Sequence, residues 1–415
     1  MEIVEDVVIV GAGIAGLTTC LGLHRLGIRS LVLESAECLR ITGYALMIWT
    51  NAWKALDAIG VGHSLRQHHH TLLGIVTSST ESGLKTAEIS FNKAKGKKVG
   101  KHEVRRVQRK LLMEALSNDL PNGTIRFSSK LVAIQESGFF KLLHLADGTI
   151  IRTKVLIGCE GVNSVVAKWL GFNKATHTGR YGIRGCATNF ANNNHGLEPL
   201  FSQFFGHGVR FGLVPCDPKF VYWFFTFAAS HDQEKELEEN PTKTREFVLS
   251  KLGIIPDQVR GVFESTELEA FKLISPLRYR KPWELLWKSI SKGNVCVAGD
   301  ALHPMTPDLG QGGCSALEDG VVLARCLGEV LLRNSSKKSE KLEEEYKNIE
   351  MGLKKYASER KWRSFDLVAT AYVIGFIQQS HNKVLSFLRD KFLASFLATW
   401  VFKKADFDCG KLTNN

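Results

Sequence analysis

The chain has 415 residues, of which 44% are hydrophobic and 23% are charged. These values lie close to the averages of globular proteins and exclude a disordered, collagen-like or coiled-coil chain. At roughly 150 residues per domain, the length predicts two or three domains. Lys and Arg total 54 against 42 Asp and Glu, which gives a net charge of +12. No nucleic-acid-binding motif accompanies this surplus, so we assign it mainly to solubility and phosphate binding and expect no nucleic-acid partner.

The nine cysteines are scattered along the chain and form no CxxC pair. This spacing argues against a zinc site or a redox dithiol, and we expect no metal. We interpret the cysteines as reduced, mostly buried thiols and expect a cytoplasmic protein. A predicted strand begins within a few residues of Met1, so we expect no signal peptide, and no run of 18 apolar residues could span a membrane.

The chain opens with a β-α-β pattern. The apolar run Asp6–Val10 predicts a buried parallel strand, the helical pattern that follows the glycines runs to Leu26, and Ile28–Leu33 predicts a second strand. The turn between the first strand and the helix reads G-x-G-x-x-G. Its glycines permit a tight turn, the approach of a pyrophosphate, and close packing of helix on strand, while the helix N-terminus attracts phosphate.

An acidic residue at the end of the second strand can hold the ribose hydroxyls of an adenosine. The β-α-β unit therefore predicts a dinucleotide site. Its residues are Gly11, Gly13, Ile14, Ala15, Gly16 and Glu34.

The next part of the chain mixes several predicted elements. Residues 43–60 indicate a loop and then a helix, residues 63–100 an irregular segment, and residues 109–116 a helix. Strands are predicted at 125–134, 139–145 and 155–158, with a hairpin turn at Asp147-Gly148.

The character of the sequence changes between residues 181 and 273. Strand-like runs occur at Arg210–Val214 and Val221–Ala228, and the second is rich in aromatic residues. We predict an inserted mixed or antiparallel β-sheet here. The run Tyr222-Trp-Phe-Phe225 could form an apolar wall over a ligand, although strand aromatics more often pack in an ordinary core.

A second glycine-rich segment, Gly299–Gly313, follows a predicted buried strand at Val295–Ala298 and leads into a helix from Gly312 to Leu332. The carboxylate of Asp300, at the end of that strand, can accept hydrogen bonds from a polyol such as ribityl. The loop and the helix N-terminus can offer N–H groups to an electron-rich ring edge. This combination favours a flavin. A charged helix at 337–360 and apolar helical patches at 366–402 are predicted to follow.

These motifs predict an α/β architecture. An FAD-binding Rossmann-like domain would comprise residues 1–180 and 274–335, an inserted substrate-binding β-sheet domain residues 181–273, and a C-terminal helical region residues 336–415.

The chain resembles the single-component, class A FAD-dependent monooxygenases of the para-hydroxybenzoate hydroxylase superfamily, and within it the plant salicylate-hydroxylase-like group. The resemblance rests on G-x-G-x-x-G, the segment 43–60, Arg109-Lys-Leu-Leu112, Gly158-Cys-Glu-Gly161 and the segment from Gly299. It implies that NAD(P)H reduces FAD, that O2 then forms a flavin C4a-hydroperoxide, and that one oxygen atom enters a small hydrophobic or aromatic substrate.

The resemblance also implies roles for individual residues. Arg109, and less strongly Arg40, would approach the FAD, and Glu160 would contact both FAD and NAD(P)H. Gly299 and Asp300 would contact the ribose and ribityl groups, and Pro307 would lie beside the isoalloxazine ring. The backbone of the flavin-proximal loop would face the pyrimidine edge of the ring through Gly310, Gln311, Gly312 and Gly313.

Several residues stand apart from these assignments. Glu160 stands where the family has Asp, and Ala167 where it has Arg, and both departures bear on nicotinamide binding more than on flavin binding. His303 is expected to be structural or flavin-proximal, and Asp308 receives no role. The sequence identifies no catalytic acid or base.

Two other functions stay open: an FAD-dependent reductase or oxidase on the same scaffold, and a catalytically weakened flavin-binding regulatory protein. A peripheral membrane role for the apolar segment Phe392–Phe402, which Lys403 and Lys404 follow, is less favoured than a C-terminal helix packed on the FAD domain. The expected partners are a small-molecule substrate, O2 and NAD(P)H, in a monomer or homodimer.

Overall fold

The computed structural model describes residues 3–41, 45–91, 102–188, 197–217, 220–272, 274–335, 342–379 and 400–412. The strands are β1 Ile3–Val10, β2 Leu31–Leu33, β3 Ala45–Ile48, β4 Gly74–Ser79, β5 Lys85–Ser90, β6 Arg105–Gln108, β7 Ile125–Arg126, β8 Leu131–Ser137, β9 Phe140–Leu145, β10 Ile150–Gly158, β11 Thr176–Ala187, β12 Leu200–Phe205, β13 Val209–Asp217, β14 Phe220–Ala228, β15 Ile274–Tyr279, β16 Ser291–Lys292 and β17 Val295–Val297. The helices are α1 Ile14–Arg25, α2 Thr50–Ala58, α3 Gly62–Gln67, α4 Arg109–Ser117, α5 Val165–Trp169, α6 His231–Glu239, α7 Pro241–Lys251, α8 Asp257–Glu264, α9 Pro282–Trp287, α10 Gly312–Ser335 and α11 Leu342–Gln378.

The first sheet carries the predicted dinucleotide unit. Its strand order is β16-β17-β10-β1-β2-β7, and β9 and β8 extend it from β10. The strands β17, β10, β1, β2 and β7 are parallel to one another. Residues 7–10 of β1 are buried, as expected for a strand inside a parallel sheet with both faces covered. The predicted β-α-β unit and the α/β architecture are confirmed.

The second sheet is mixed, with the order β15-β11-β14-β13-β12-β4-β5. The strands from β15 to β12 are antiparallel, whereas β12 and β4 run parallel. The sheet extends beyond residues 181–273, because β4 and β5 come from a segment that we predicted to be irregular and β15 begins at Ile274. That prediction for 63–100 is wrong over α3, β4 and β5, and residues 92–100 lie outside the described part.

Strands β4 and β5 escaped prediction for a physical reason. β5 reads Lys-Thr-Ala-Glu-Ile-Ser and is an edge strand of the sheet, and its positions are exposed or half-buried. β4 ends in Thr-Ser-Ser. Neither strand carries the apolar alternation on which sequence-based recognition depends, since charged and polar residues are common on edge strands.

The two faces of the second sheet have different neighbours. One face packs against α7 and α8 in a core that includes Phe211, Trp223, Phe225 and Phe263. The other face looks toward the first sheet and encloses a cavity. Side chains of a strand alternate between faces, so alternate residues in the central parts of β12 and β14, and Arg210 and Val214 of β13, reach the cavity.

The C-terminal region is helical, as predicted, but its division differs. The structure has one 37-residue helix, α11, where we predicted a charged helix ending at Arg360 and separate apolar patches beyond it. α11 packs along α10. Most of the apolar segment Phe392–Phe402 lies outside the described residues; Trp400 to Phe402 belong to a short helical stretch. None of the described helices is both long and apolar enough to cross a membrane.

Candidate functional site

A single cavity of about 1030 Å³ lies between the two sheets. Its volume is at the upper end of the roughly 300–1,000 Å³ that is usual for small-molecule sites. Every residue that the sequence predicted for the cofactor or the flavin-proximal loop lines this cavity, except Gly16 and Gln311. The cavity extends from the first turn of the chain to the inner face of the second sheet, so it has room for an extended ligand and a smaller one.

The turn between β1 and α1 forms one end of the cavity, and its glycines shape it. Gly11 has a φ of 101°, and a Cβ there would lie 2.5 Å from the carbonyl oxygen of Cys159. A Cβ on Gly16 would lie 2.0 Å from the carbonyl oxygen of Gly11, so this glycine lets the helix approach the turn from behind. A Cβ on Gly13 would meet no described protein atom within 4 Å, which is the arrangement that a closely approaching ligand requires. No described side chain caps α1 at Gly13, and its N-terminus suits an anion.

Glu34 forms the wall beside this turn and is 7% exposed. Its Oε2 accepts a hydrogen bond from the Ala12 N–H, and its Oε1 accepts one from the Ala36 N–H, both at 2.9 Å. These bonds fix the carboxylate at the position where the ribose contact is predicted. Arg40 lies nearby on the open side, with a side chain 67% exposed and its Nε 3.9 Å from Glu34 Oε1.

Arg109 and Asp300 both line the cavity, and their charges influence each other. Arg109 begins α4, and Asp300 follows the end of β17. Burial lowers the pKa of Arg109, and the negative charge of Asp300 opposes that shift. Burial raises the pKa of Asp300, and His303 and Arg109 oppose that shift. Both side chains therefore offer polar groups with which a ligand in the cavity can form hydrogen bonds.

Glu160 lines the cavity, but its carboxylate is bound to the start of α5. Its Oε2 accepts a hydrogen bond from the Ser164 hydroxyl, and its Oε1 accepts one from the Val166 N–H at 3.1 Å. Burial raises the pKa of this carboxyl, and these hydrogen bonds oppose the shift. Ala167 is a buried residue of the same helix. Of the two residues that depart from the family pattern, Glu160 thus caps α5 and Ala167 packs in the core. The nicotinamide contact of Glu160 stays a prediction.

A buried charge cluster holds the base of the second glycine-rich loop. Asp319 on α10 accepts hydrogen bonds from the Gly299 N–H at 2.7 Å, from His303 Nε2 at 2.6 Å and from Arg360 Nε on α11 at 2.6 Å. Burial alone would raise the pKa of Asp319, but His303 and Arg360 lower it to about 2. His303 therefore has a structural role, one of the two that we expected.

Gln311, predicted in the flavin-proximal loop, turns away from the cavity. It is 1% exposed, and its Oε1 accepts a hydrogen bond from Asn51 Nδ2 at 2.9 Å. Asn51 also donates to Glu318 on α10. This side chain links α2 to the start of α10, so any contact of Gln311 with a cofactor would come from its backbone.

The inner face of the second sheet forms an apolar chamber at the other end of the cavity. Tyr222 and Phe224 line it, whereas Trp223 and Phe225 point to the opposite face and belong to the sheet's own core. The predicted aromatic wall is thus made by two of its four residues. Phe201 and Val214 from other strands of the sheet also line this part of the cavity, together with the polar residues Gln203, Arg210 and Thr226.

Asp308 is a site residue to which sequence reasoning gave no role. Its side chain is fully buried between two arginines of the second sheet, with Oδ2 2.9 Å from Arg180 Nη2 and Oδ1 2.7 Å from Arg210 Nη1. Arg210 is 3% exposed and also donates to Gln203 Oε1 at 2.9 Å. These contacts join the flavin-proximal loop to the second sheet.

A sequence signal for this cluster exists in β13. Arg210 stands between Val209 and Phe211 in an apolar strand, so its charge must face the side opposite the hydrophobic core. The partner could not be found in this way, because Asp308 lies 98 residues further along the chain. Arg106, Arg184 and Trp49 also line the cavity and were not predicted.

The donor set fits FAD. The open position at Gly13 and the uncapped start of α1 suit a pyrophosphate, and Glu34 suits a ribose. Asp300 lines the same cavity, as does Gly310, whose φ of 64° turns the loop into α10. Helix N-termini such as that of α10 stabilise negative charge on a ring edge. Among the described residues, no group of His, Cys, Asp and Glu could hold a metal ion.

The comparisons with known proteins agree with this geometry. The profile of the family described as "FAD binding domain" matches residues 5–351. Among curated proteins, the chain is 54% identical to Monooxygenase 2 of Arabidopsis thaliana, with 98% of each chain covered. It is 35% identical to Monooxygenase 1 of the same plant, over 98% of this chain and 99% of that protein.

Among solved structures, the crystal structure of Klebsiella pneumoniae HpxO in complex with FAD and uric acid superposes with a TM-score of 0.76 at 21% sequence identity. The match covers 98% of this chain and 96% of that one. At this identity, the likeness establishes the fold.

Proposed function

The chain belongs to the FAD-binding-domain family within the para-hydroxybenzoate hydroxylase superfamily of flavoprotein monooxygenases, and we propose that it uses NAD(P)H and O2 to insert one oxygen atom into a small hydrophobic or aromatic substrate. One observation carries the proposal: a single cavity joins a dinucleotide-binding turn to an apolar chamber under the second sheet. Both reactants of an oxygen transfer can therefore lie in contact, away from bulk water.

The adenosine half of FAD would be held by the turn at Gly11 and Gly13 and by Glu34. Asp300 and Arg109 would bind the ribityl and phosphate groups, and Arg40 would approach from the open side. The loop from Pro307 to Gly313 would face the ring, with the N–H groups at the start of α10 directed to its pyrimidine edge. The chemistry that bound FAD would supply is to accept a hydride from NAD(P)H and to activate O2.

The substrate would lie between the flavin-proximal loop and the sheet residues Tyr222 and Phe224. The Asp308–Arg210 pair would hold the loop in a fixed position on the sheet. Gln203 and Thr226 offer polar groups on the chamber wall. The apolar lining would exclude water from the reacting atoms. The relatives named as monooxygenases, and a structural neighbour described with FAD and uric acid, support a small-molecule substrate.

No separate nicotinamide domain is required by this proposal. The sequence has no second G-x-G-x-x-G after a strand. NAD(P)H would therefore enter the open cavity transiently and leave before the substrate is oxygenated. The engagement of Glu160 with α5 means that this carboxylate contributes little to nicotinamide binding unless α5 is disturbed.

The test is a screen of small aromatic and hydrophobic compounds for stimulated NAD(P)H consumption by the FAD-loaded protein under isotopically labelled O2. The proposal expects a product that has gained one labelled oxygen atom, with no product when O2 is removed. Continued NAD(P)H turnover without O2, beyond the one equivalent that reduces the bound FAD, would indicate a reductase. Turnover that yields only peroxide with every compound screened would indicate an oxidase. Bound FAD that NAD(P)H cannot reduce with any compound would indicate a regulatory protein. Each of these three results would overturn the proposal.

A further inference from the structure

Gln203 lies in the middle of β12, on the face of the second sheet that lines the cavity. The residue is 8% exposed, and its neighbour Phe204 belongs to the core on the opposite face of the sheet. An amide side chain that is buried to this extent normally forms hydrogen bonds through both its oxygen and its nitrogen. Partners are therefore expected for both ends of the Gln203 amide.

The oxygen of this amide is bound to Arg210. Gln203 Oε1 accepts a hydrogen bond from Arg210 Nη2 at 2.9 Å and another from Arg210 Nε at 3.3 Å. An arginine side chain can only donate, so these bonds determine which end of the amide faces the guanidinium group. Arg210 is itself held by Asp308 of the flavin-proximal loop, at 2.7 Å. The amide therefore has one orientation, in which Nε2 is the end that Arg210 leaves free.

The nitrogen of the amide is a donor that a ligand can reach. Within the described part of the chain, Gln203 Nε2 donates to no protein group. It is also not one of the unpaired polar atoms that are shut off from solvent, so it keeps accessible surface. Because Gln203 lines the cavity, this surface faces the ligand space. The positive charge of Arg210 polarises the amide and makes its N–H groups stronger donors.

An aromatic surface lies next to this donor. Gly212 of β13 pairs with Gln203 on one side and with Phe224 on the other. An ideal Cβ on Gly212 would lie 2.8 Å from Phe224 Cε1, so the Phe224 ring extends over the glycine toward β12. The centroid of this ring is 5.1 Å from the Arg210 guanidinium carbon and 6.1 Å from the Phe201 centroid. A flat apolar ligand that lies on Phe224 can therefore bring one edge to the Gln203 amide.

We propose that Gln203 is a specificity-determining residue whose Nε2 donates a hydrogen bond to a carbonyl or carboxylate oxygen on an aromatic substrate. This inference rests on the proposed function, which identifies the apolar chamber as the substrate site. A hydrocarbon that covered the donor would leave a desolvated N–H without a partner, so the site selects a substrate with an acceptor. The two guanidinium groups that surround the single carboxylate of Asp308 also favour an electron-rich oxygen nearby.

The test measures how tightly the FAD-loaded protein binds acetophenone, benzoate and ethylbenzene, from the change that each causes in the flavin absorbance without NAD(P)H. Acetophenone and benzoate carry an acceptor oxygen, and ethylbenzene has nearly the shape of acetophenone without that oxygen. In wild type we expect acetophenone and benzoate to bind about tenfold or more tightly than ethylbenzene, because only they can pair with the donor.

Two variants separate the donor from a structural role of the same side chain. Gln203→Glu keeps an oxygen that accepts from Arg210 but replaces the NH2 group by a second oxygen, whereas Gln203→Leu removes both. We expect both variants to lose the preference for acetophenone over ethylbenzene. Gln203→Glu is also expected to bind benzoate more weakly than Gln203→Leu does, because like charges repel. Ethylbenzene is expected to bind to Gln203→Leu at least as tightly as to wild type, which serves as the control for an intact chamber.

Two results would overturn the inference while leaving the proposed function intact. The first is a wild type that binds acetophenone and benzoate no more tightly than ethylbenzene, which includes the case that none of the three binds. The second is a wild-type preference for acetophenone in Gln203→Glu, which is what a purely structural contact with Arg210 would produce. Wild type that takes up no FAD, or that oxygenates no compound in the screen described above, would instead remove the proposed function.

If neither variant takes up FAD, infrared spectra of wild type with bound acetophenone provide a second readout. With carbon-13 in the carbonyl group, the C=O stretch of the ligand can be separated from the protein bands. A hydrogen bond to the oxygen lowers this frequency, so we expect a lower value in the protein than in cyclohexane, which has no donor. An equal frequency in the two surroundings would show that no donor reaches the oxygen and that the inference is wrong.

Discussion

At the scale of single residues, Asp308 is the counterion on which the contact between loop and sheet depends. Its carboxylate is fully buried and faces Arg180 and Arg210. Burial alone would raise its pKa, but the two guanidinium groups hold the pKa below the usual range. The sequence predicted none of this, because the partners come from strands about a hundred residues away and a loop aspartate is most often a turn residue.

Replacing Asp308 by Asn is expected to lower the free energy of unfolding by about 3–5 kcal/mol, because two buried guanidinium groups lose their counterion. Urea unfolding of the apoprotein measures this. The matched control is Asp147→Asn, which removes an exposed carboxylate 3.1 Å from Arg126 and is expected to have a much smaller effect. Equal losses in the two variants would contradict the buried-counterion account.

Asp300 is expected to serve the cofactor more than the fold of the empty protein. Desolvation raises its pKa, with His303 and Arg109 opposing that shift. The residue is nevertheless exposed to the empty cavity, so this shift has little effect on the stability of the apoprotein. We therefore expect apo Asp300→Asn to have a Tm close to that of wild type at pH 7.

The same substitution is expected to weaken FAD binding about tenfold or more, because a charge-assisted hydrogen bond to the cofactor is lost. Thermal scans of apoprotein and FAD titrations measure the two effects. A lower apoprotein Tm combined with unchanged FAD affinity would show that the carboxylate has only a structural role.

At the scale of elements, the start of α1 separates a ligand-facing glycine from a packing glycine. Gly13→Ala is expected to fold normally and to lower FAD affinity at least about tenfold, because the new methyl group projects into the cavity. Gly16→Ala is expected to lower the free energy of unfolding by about 1–3 kcal/mol or more, because its Cβ would lie 2.0 Å from the Gly11 carbonyl oxygen. Denaturant unfolding and FAD titration of both variants test these two predictions. They would be refuted if Gly13→Ala mainly lowered the stability of the fold and Gly16→Ala mainly weakened FAD binding.

The buried contact between Asp319 on α10 and Arg360 on α11 predicts a characteristic dependence of stability on pH. Asp319 has a pKa of about 2 in the folded protein, below its ordinary value of 3.8. A lowered carboxyl pKa stabilises the fold above the ordinary value and loses its effect as the pH falls toward the folded value. Asp319→Asn is therefore expected to be less stable than wild type at pH 7, with a difference that narrows between about pH 4 and pH 2. A difference that does not change with pH would contradict the role of the ionised cluster.

Some elements can be predicted from the sequence and others cannot, depending on whether the residues that determine them are close together in the chain. The β1–α1–β2 unit is predictable because its apolar runs and glycines are local. The continuity of α11 is not, because its charged first half and apolar second half look like separate helices until its packing on α10 is known. The wall formed by Tyr222 and Phe224 was predictable as a strand, but only the pairing of β14 with its neighbours decides which of its aromatic residues face the cavity.

At the scale of the whole molecule, two distant segments line one cavity. The turn that follows β1 and the loop that begins at Gly299 are adjacent, since a Cβ on Gly299 would lie 2.8 Å from that of Ala15. Parallel pairing of β1 with β10, and of β10 with β17, brings the carboxyl ends of these strands to one edge. The second sheet then covers this edge, and ligands of open α/β sheets bind there. The motifs predicted this meeting, whereas the strands that β4 and β5 add to the cover could not be predicted.

An equilibrium titration of folded apoprotein with FAD, carried out on wild type, Gly13→Ala and Asp300→Asn, tests directly whether the two segments bind one cofactor. We expect one FAD per chain, with affinity reduced about tenfold or more by either substitution, because both residues would contact the same cofactor from different segments. Folded wild type that takes up no FAD, or an affinity that either substitution leaves unchanged, would contradict this expectation.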